Sequence, residues 1–463
     1  MAEIPLHYRS VTELGALLRT KAVSSVELTR LYLDRLEKQG GALNAVAERT
    51  PELALAQARQ ADKELAAGQP RGPLHGIPYG AKDLLATAGI PTRWGSPAHE
   101  DQVFDYDAAV VARLRDAGAV LVGKLAMVEL AGGGGYEYAS ASREGPGRCP
   151  WNPERWAGGS SSGSGAAVGA GAVGFAIGTE TWGSIMTPAA FCGVSGLRPT
   201  YGRVSRYGAM ALSWTMDKIG PMARSAEDCG HILQAIAGHD PRDPSTTTDR
   251  FTFRPRPARA SLRLGVLPHD YSKSPAAQQA FEAARNVFKK RKFRLQDADY
   301  PPDIPYDAAA GTIITAEASA AFENLIRSPK LSALADAHQQ AGLIAGLALP
   351  ASDYLRALRI RAIALKALNT LWDDCDALLA PTLLRAAPPI TRSLRDGDEP
   401  WGGNGGPGNL AGWPSISIPM GFTADGLPLG LEIIGPPYGE QTLLALAMTF
   451  QQETDWHRRC PPL

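Results

Sequence analysis

Between Gly158 and Ser184 the chain is almost stripped of large side chains. The segment opens on Gly158-Gly159-Ser160-Ser161-Ser162-Gly163-Ser164-Gly165 and runs on through alanine, glycine and valine. It closes on Gly178-Thr179-Glu180-Thr181-Trp182-Gly183-Ser184. Two glycine- and serine-bearing turns therefore flank one short run of small residues. Small residues let a helix press close to other backbone, and glycine permits turn conformations that a side chain forbids. The expected path is a turn, a buried helix from Ala166 to about Gly174, a strand from Phe175 to Thr179, and the second turn. A flexible linker has the same opening composition. It would not continue into Phe175-Ala176-Ile177 and then Phe191-Cys192-Gly193-Val194.

The chain around this segment has 463 residues, 44% of them hydrophobic, enough for two or three average domains or one large α/β domain. Acidic and basic residues balance at 47 each. No charge field points to nucleic acid or to a membrane surface. The cysteines, Cys149, Cys192, Cys229, Cys375 and Cys460, are odd in number and widely spaced, with no Cys-x-x-Cys pair. That disfavours a disulfide framework and a zinc site. The N-terminus lacks the basic and apolar regions of a signal peptide, and no apolar run reaches membrane-spanning length. The cytoplasm is the expected compartment.

Read in order, the chain begins with helices. Ser10-x-x-Glu13 and Ser24-x-x-Glu27 have capping-box spacing, and Thr50-Pro51 starts a third helix that ends near Gly68. A short apolar strand then leads to Lys82, which is expected at the strand's end and partly buried. His75, just upstream, reads as structural. A helix from Asp107 to Ala117 precedes the strand Val120-Leu121-Val122-Gly123-Lys124. Such alternation argues for one α/β domain with a central twisted mixed sheet, largely parallel and covered by helices on both faces. Gly132, Gly133 and Gly134, with Gly135, form a bare stretch expected to wall a substrate.

The motifs now carry a resemblance. Gly158 to Ser164, then Gly183-Ser184-Ile185, then Phe191-Cys192-Gly193-Val194-Ser195-Gly196-Leu197-Arg198-Pro199-Thr200 resemble the amidase signature family. Gly76-Ile77-Pro78-Tyr79-Gly80-Ala81-Lys82-Asp83 supplies that family's Lys-Asp motif, and Ser184 follows Ser160 by the family's 24 residues. The likeness covers about residues 70–240 and 375–445. It sets helices in 1–70, the signature core in about 70–240, a variable helical cap in about 262–374, and closing strands and a helix in 375–463.

What the resemblance implies is a Ser–cis-Ser–Lys triad, with Ser184 as nucleophile and a cis bond before Ser160. A serine hydroxyl needs a base to take its proton. Lys82, desolvated enough to be neutral, would accept a proton from Ser160, which accepts one from Ser184. Backbone N–H groups of Thr181, Trp182, Gly183 and Ser184 would meet the oxyanion. No metal or cofactor is implied. The family usually has Gly-Gly-Ser-Ile-Arg here, whereas this chain has Trp182-Gly183-Ser184-Ile185-Met186. The indole and the thioether point away from a small polar amide, and the missing arginine removes a cation for a polar substrate or a structural carboxylate. The expected substrate is a small-molecule amide, apolar or aryl, or a carbamate or ester, met by a monomer or homodimer with no nucleic acid and no membrane. The alternative is the glutamine-hydrolysing component of a tRNA-dependent amidotransferase, which passes ammonia to a partner.

Two other readings of the serines exist. Gly159-Ser160-Ser161-Ser162-Gly163 satisfies the Gly-x-Ser-x-Gly elbow of α/β-hydrolases with Ser161 at its centre, but that motif needs a strand just before it. Asn152 to Ala157 is not expected to be one. A phosphate-binding loop needs Gly-Lys-Ser/Thr after its glycines, and none follows.

Overall fold

The computed structural model describes residues 4–397 and 400–463. Its strands, in chain order, are β1 (Val46–Arg49), β2 (Pro78–Lys82), β3 (Val120–Leu125), β4 (Arg148–Cys149), β5 (Asn152–Trp156), β6 (Phe175–Glu180) and β7 (Ser195–Arg198). There follow β8 (Lys218–Ala223), β9 (Arg263–Val266), β10 (Arg294–Asp297), β11 (Ala377–Pro381), β12 (Ser415–Phe422) and β13 (Pro428–Ile434). Eleven of them make one mixed sheet in the order β1-β3-β2-β6-β8-β7-β12-β13-β11-β9-β10. The α/β fold with helices on both faces is the one expected. β2 runs parallel to β3 and β6, and β9 runs parallel to β10 and β11. From β6 across to β11 the pairing is antiparallel.

Side chains alternate between the faces of a strand, and here both faces are covered. Tyr79, Ala81, Leu121, Phe175 and Ile177 enter one core. Val120, Val122 and Ala176 enter another, with the alanines of the helix Ser162–Gly169. Burial on both sides is why β3 and β6 read as continuous apolar runs.

The expected caps at Ser10 and Ser24 form as complete capping boxes. Two expectations fail. The buried helix runs over Ser162–Gly169, starting four residues early and stopping short of Gly174. Its serine-rich first turn is helical because the core satisfies it: Gly163 N–H donates to Ala126 O at 2.9 Å and Ser164 Oγ to Ile177 O at 3.1 Å. Asn152–Trp156 is a strand after all, pairing antiparallel with β4. That ribbon lies outside the main sheet, so it does not set Ser161 on an elbow at the sheet's edge.

The segment expected as the cap, about 262–374, contains the helices Tyr306–Ala321, Ala337–Gly346 and Ala351–Asn369. Gly134 receives the second of these by close backbone approach. A β-carbon there would stand 2.5 Å from Gln339 O and 2.8 Å from Leu343 N. Among the described residues no helix is long and apolar enough to cross a membrane.

Candidate active site

Neighbouring parallel strands β2 and β6 end on the same side of the sheet, and each ends in a polar residue. β2 ends on Lys82, which is fully buried. Its Nζ donates to Ser160 Oγ at 2.7 Å, to Thr179 Oγ1 at 2.9 Å and to Ser161 Oγ at 3.0 Å. Burial pushes the Lys82 ammonium down to about 7, against the pull of Asp217 and Glu180 in the other direction. Near neutral pH a substantial fraction of this lysine is therefore the neutral amine, which can accept a proton. Its sequence neighbour Asp83 turns elsewhere, to a buried ion pair with Lys124 at 3.2 Å.

The peptide bond Gly159–Ser160 is cis. Ser161 N–H donates to Ser184 O at 3.2 Å, which ties the first serine turn to the second. Ser161 Oγ itself donates to Thr179 O at 3.1 Å, so it is held as a structural hydroxyl and the elbow reading fails. The second turn depends on Gly183, whose φ of +76° is a conformation that favours glycine. Among the described residues the N–H groups of Trp182, Gly183 and Ser184 have no protein acceptor. They are the donors available to an oxyanion.

The end of β6 fastens this turn on both faces. Thr179 and Thr181 point one way, to Lys82 Nζ and to Asp217 Oδ1 respectively; the latter bond is 2.5 Å. Asp217 also accepts from the N–H groups of Leu212 and Ser213, at 2.9 and 3.0 Å. Glu180 points the other way. Its Oε2 accepts from Ile185 N–H at 2.9 Å and Met186 N–H at 3.0 Å. Its Oε1 accepts from Arg198 Nη1 at 2.7 Å and Asn409 Nδ2 at 3.1 Å. Arg198 and the backbone donors hold this carboxyl down at about 2, despite full burial.

A cavity lies on each side of the turn. One, of about 220 Å³, is lined by Thr179, Thr181, Trp214, Asp217 and Lys218. The other, of about 240 Å³, is lined by Trp182, Gly183, Met186, Trp401 and Glu432. Trp182 is 36% exposed and lies over Gly405, where a β-carbon would overlap the indole. It is a wall of the second cavity and not a core residue. Met186 is buried in the same wall.

The fold thus brings Lys82, Ser160 and the turn Thr181–Ser184 together. Gly132, Gly133 and Gly134 pack against Tyr136, against Phe322 and Leu212, and against the cap helix at Gln339 and Leu343. His75 is buried beside Glu64, 3.1 Å away, as a structural residue. Sequence reasoning missed Thr179, Glu180, Arg198, Asp217 and Asn409. A charged residue in an otherwise bare stretch was the available signal for Glu180.

A family model described as Amidase matches residues 27–444. The chain is 40% identical, over 493 aligned residues, to the A subunit of the glutamyl-tRNA(Gln) amidotransferase of Methylococcus capsulatus, with 98% of this chain and 99% of that protein covered. Among solved structures it resembles a chain from a vestigial complex bearing on the origins of an s-triazine catabolic enzyme, at TM-score 0.88 and 32% identity, covering 96% of this chain and 98% of that one. It also resembles the peptide amidase of Stenotrophomonas maltophilia, at TM-score 0.85 and 34% identity, covering 98% of each. These findings overturn one expectation. A small-molecule substrate met by a monomer or homodimer, with no nucleic acid, does not fit a chain whose full-length relative is named as one component of a glutamyl-tRNA(Gln) amidotransferase.

Proposed function

The chain belongs to the amidase family and is an enzyme of C–N amide bonds, and from that premise we propose that it is the amide-hydrolysing component of an amidotransferase. In this reading it cleaves the side-chain amide of glutamine and passes the ammonia to a partner chain that works on an aminoacylated tRNA. The observation that carries the reading is the end-to-end match, at 40% identity, to the corresponding chain of such an amidotransferase.

The chemistry follows from the site. Lys82, about half neutral near pH 7, accepts the Ser160 proton while Ser160 accepts that of Ser184. Ser184 Oγ attacks the amide carbon, and the negative charge grows on its oxygen toward the N–H groups of the Trp182–Ser184 turn. Each such donor is typically worth about 2.7–4 kcal/mol. Ser160 returns the proton to the leaving nitrogen, which departs as ammonia. Water then opens the ester by the same relay, regenerating Ser184.

The test is ammonia release from glutamine by the purified chain, alone and with the products of neighbouring genes co-expressed. A glutaminase activity that rises with a stably co-purifying chain is the expected result. A second reading rests on Trp182 and Met186 sharing one cavity wall, which favours an apolar group beside Ser184. It expects 4-nitroacetanilide to outrun glutamine in kcat/KM, and Trp182→Gly to reverse the ranking. An unchanged ranking overturns it.

A further inference from the structure

Glu180 is a buried carboxylate that the relay does not use, and its four partners are unusual in kind. Two are the consecutive backbone N–H groups of Ile185 and Met186, which follow Ser184 directly. The other two, Arg198 and Asn409, come from β7 and from the helix Gly405–Leu410, 18 and 229 residues away in sequence. All three side chains are buried, at 1% exposure or less.

We propose that Glu180 is a positioning residue for the nucleophile: braced by Arg198 and Asn409, its carboxylate closes the loop from residue 180 to residues 185 and 186 and so sets where Ser184 Oγ points. The alternative is an ordinary core ion pair. A buried pair of that kind is weak as a source of stability, because desolvation offsets the attraction. Such a pair has no need of the turn's amides. Here one whole carboxylate oxygen is given to them, in charge-assisted bonds that are stronger and more directional than neutral ones. The turn between the two ends of this brace contains only Thr181, Trp182, Gly183 and Ser184. With Thr181 held by Asp217 on the opposite face, the turn is clamped at its entry and at its exit. Residue 186 takes part through its backbone N–H alone.

The inference rests on Ser184 being the nucleophile, so the experiment reads that serine directly. The rate of fluorophosphonate labelling at Ser184 is followed by mass spectrometry in the wild type, E180Q and E180D, beside kcat, KM and thermal unfolding. E180Q keeps the length and loses the charge, whereas E180D keeps the charge and withdraws it by one methylene. Both are expected to slow labelling and lower kcat roughly ten- to a hundredfold, as misplacement of a reacting group does, with KM within about twofold. Labelling at the wild-type rate, or loss only in proportion to the unfolded fraction, overturns the brace alone. No labelling of wild-type Ser184 overturns the nucleophile and the brace together. Should neither Glu180 variant fold, Asn409→Ala decides, by slower labelling in the folded protein or by a wild-type rate.

Discussion

The region around Ser184 and the helical segment expected as the cap are held in opposite ways. In the first, Lys82, Thr179, Glu180 and Arg198 are buried, and each is pinned by at least one bond of 3.0 Å or less. In the second, the long helices are open to solvent on one side, with Leu355 at 59% and Ile363 at 63% exposure. Two sets of polar bonds link it to the core: Glu317 accepts from Ser213 Oγ at 2.6 Å and Thr215 Oγ1 at 2.9 Å, and Asp336 accepts from Glu137 N–H at 2.8 Å while Glu129 accepts from Ala335 N–H at 2.8 Å. The groups around Ser184 are thus fixed by buried polar bonds, whereas one side of the long helices faces solvent. A substitution in the core should change the rate constant. One in the cap should change what is bound.

The sharpest test of that division is Ser184→Ala, which should abolish turnover in a protein that still unfolds cooperatively. Fluorophosphonate labelling at any other serine would break the comparison at its root. Next come Lys82→Met and Ser160→Ala. Each should lower kcat by roughly 10²–10⁴-fold, and the double variant should be little worse than the poorer single one, as for residues acting as a unit. Multiplicative losses would mean that the two work separately. A smaller effect is expected from pH. Since the neutral form of Lys82 is the base and burial lowers its pKa to about 7, kcat/KM should rise with pH through about 7 and flatten above. Glu180→Gln, by removing a negative charge that favours the ammonium, should move that limb to lower pH. The smallest change in rate is expected in the cap. Glu317→Ala leaves Ser213, Thr215 and Tyr354 without their acceptor and should cost about 1–3 kcal/mol of stability, with KM moving more than kcat. If it lowers kcat as far as Ser160→Ala does, cap and core are not separate parts.

The proposed triad could be read as a motif because its parts are local. Lys82 ends a short apolar strand, and Ser160 and Ser184 lie in two glycine turns a fixed spacing apart. β3 and β6 were legible because strands covered on both faces read as apolar runs. β5 was not, since Pro153 and a surface-facing ribbon pattern look like loop. The brace under the nucleophile was invisible for another reason: Glu180, Arg198 and Asn409 meet only in the folded chain. Trp182 and Met186 do line a cavity. They did not indicate the company the protein keeps, which depends on surfaces that a motif does not describe.

The burial of Lys82 has a consequence outside catalysis. A lysine whose pKa falls from 10.5 to about 7 on folding binds fewer protons in the native state than in the unfolded chain over that range. The contribution of this group to native stability then increases with pH between those values. Near pH 7 the penalty of keeping the group inside is on the order of 4 kcal/mol, taking about 1.36 kcal/mol per pKa unit. Lys82→Met should accordingly raise the unfolding midpoint at neutral pH while removing activity, and its advantage should shrink as the solution is made more alkaline. Through this one group the native fold is penalised most on the acid side of neutrality, where the same proton also silences the base.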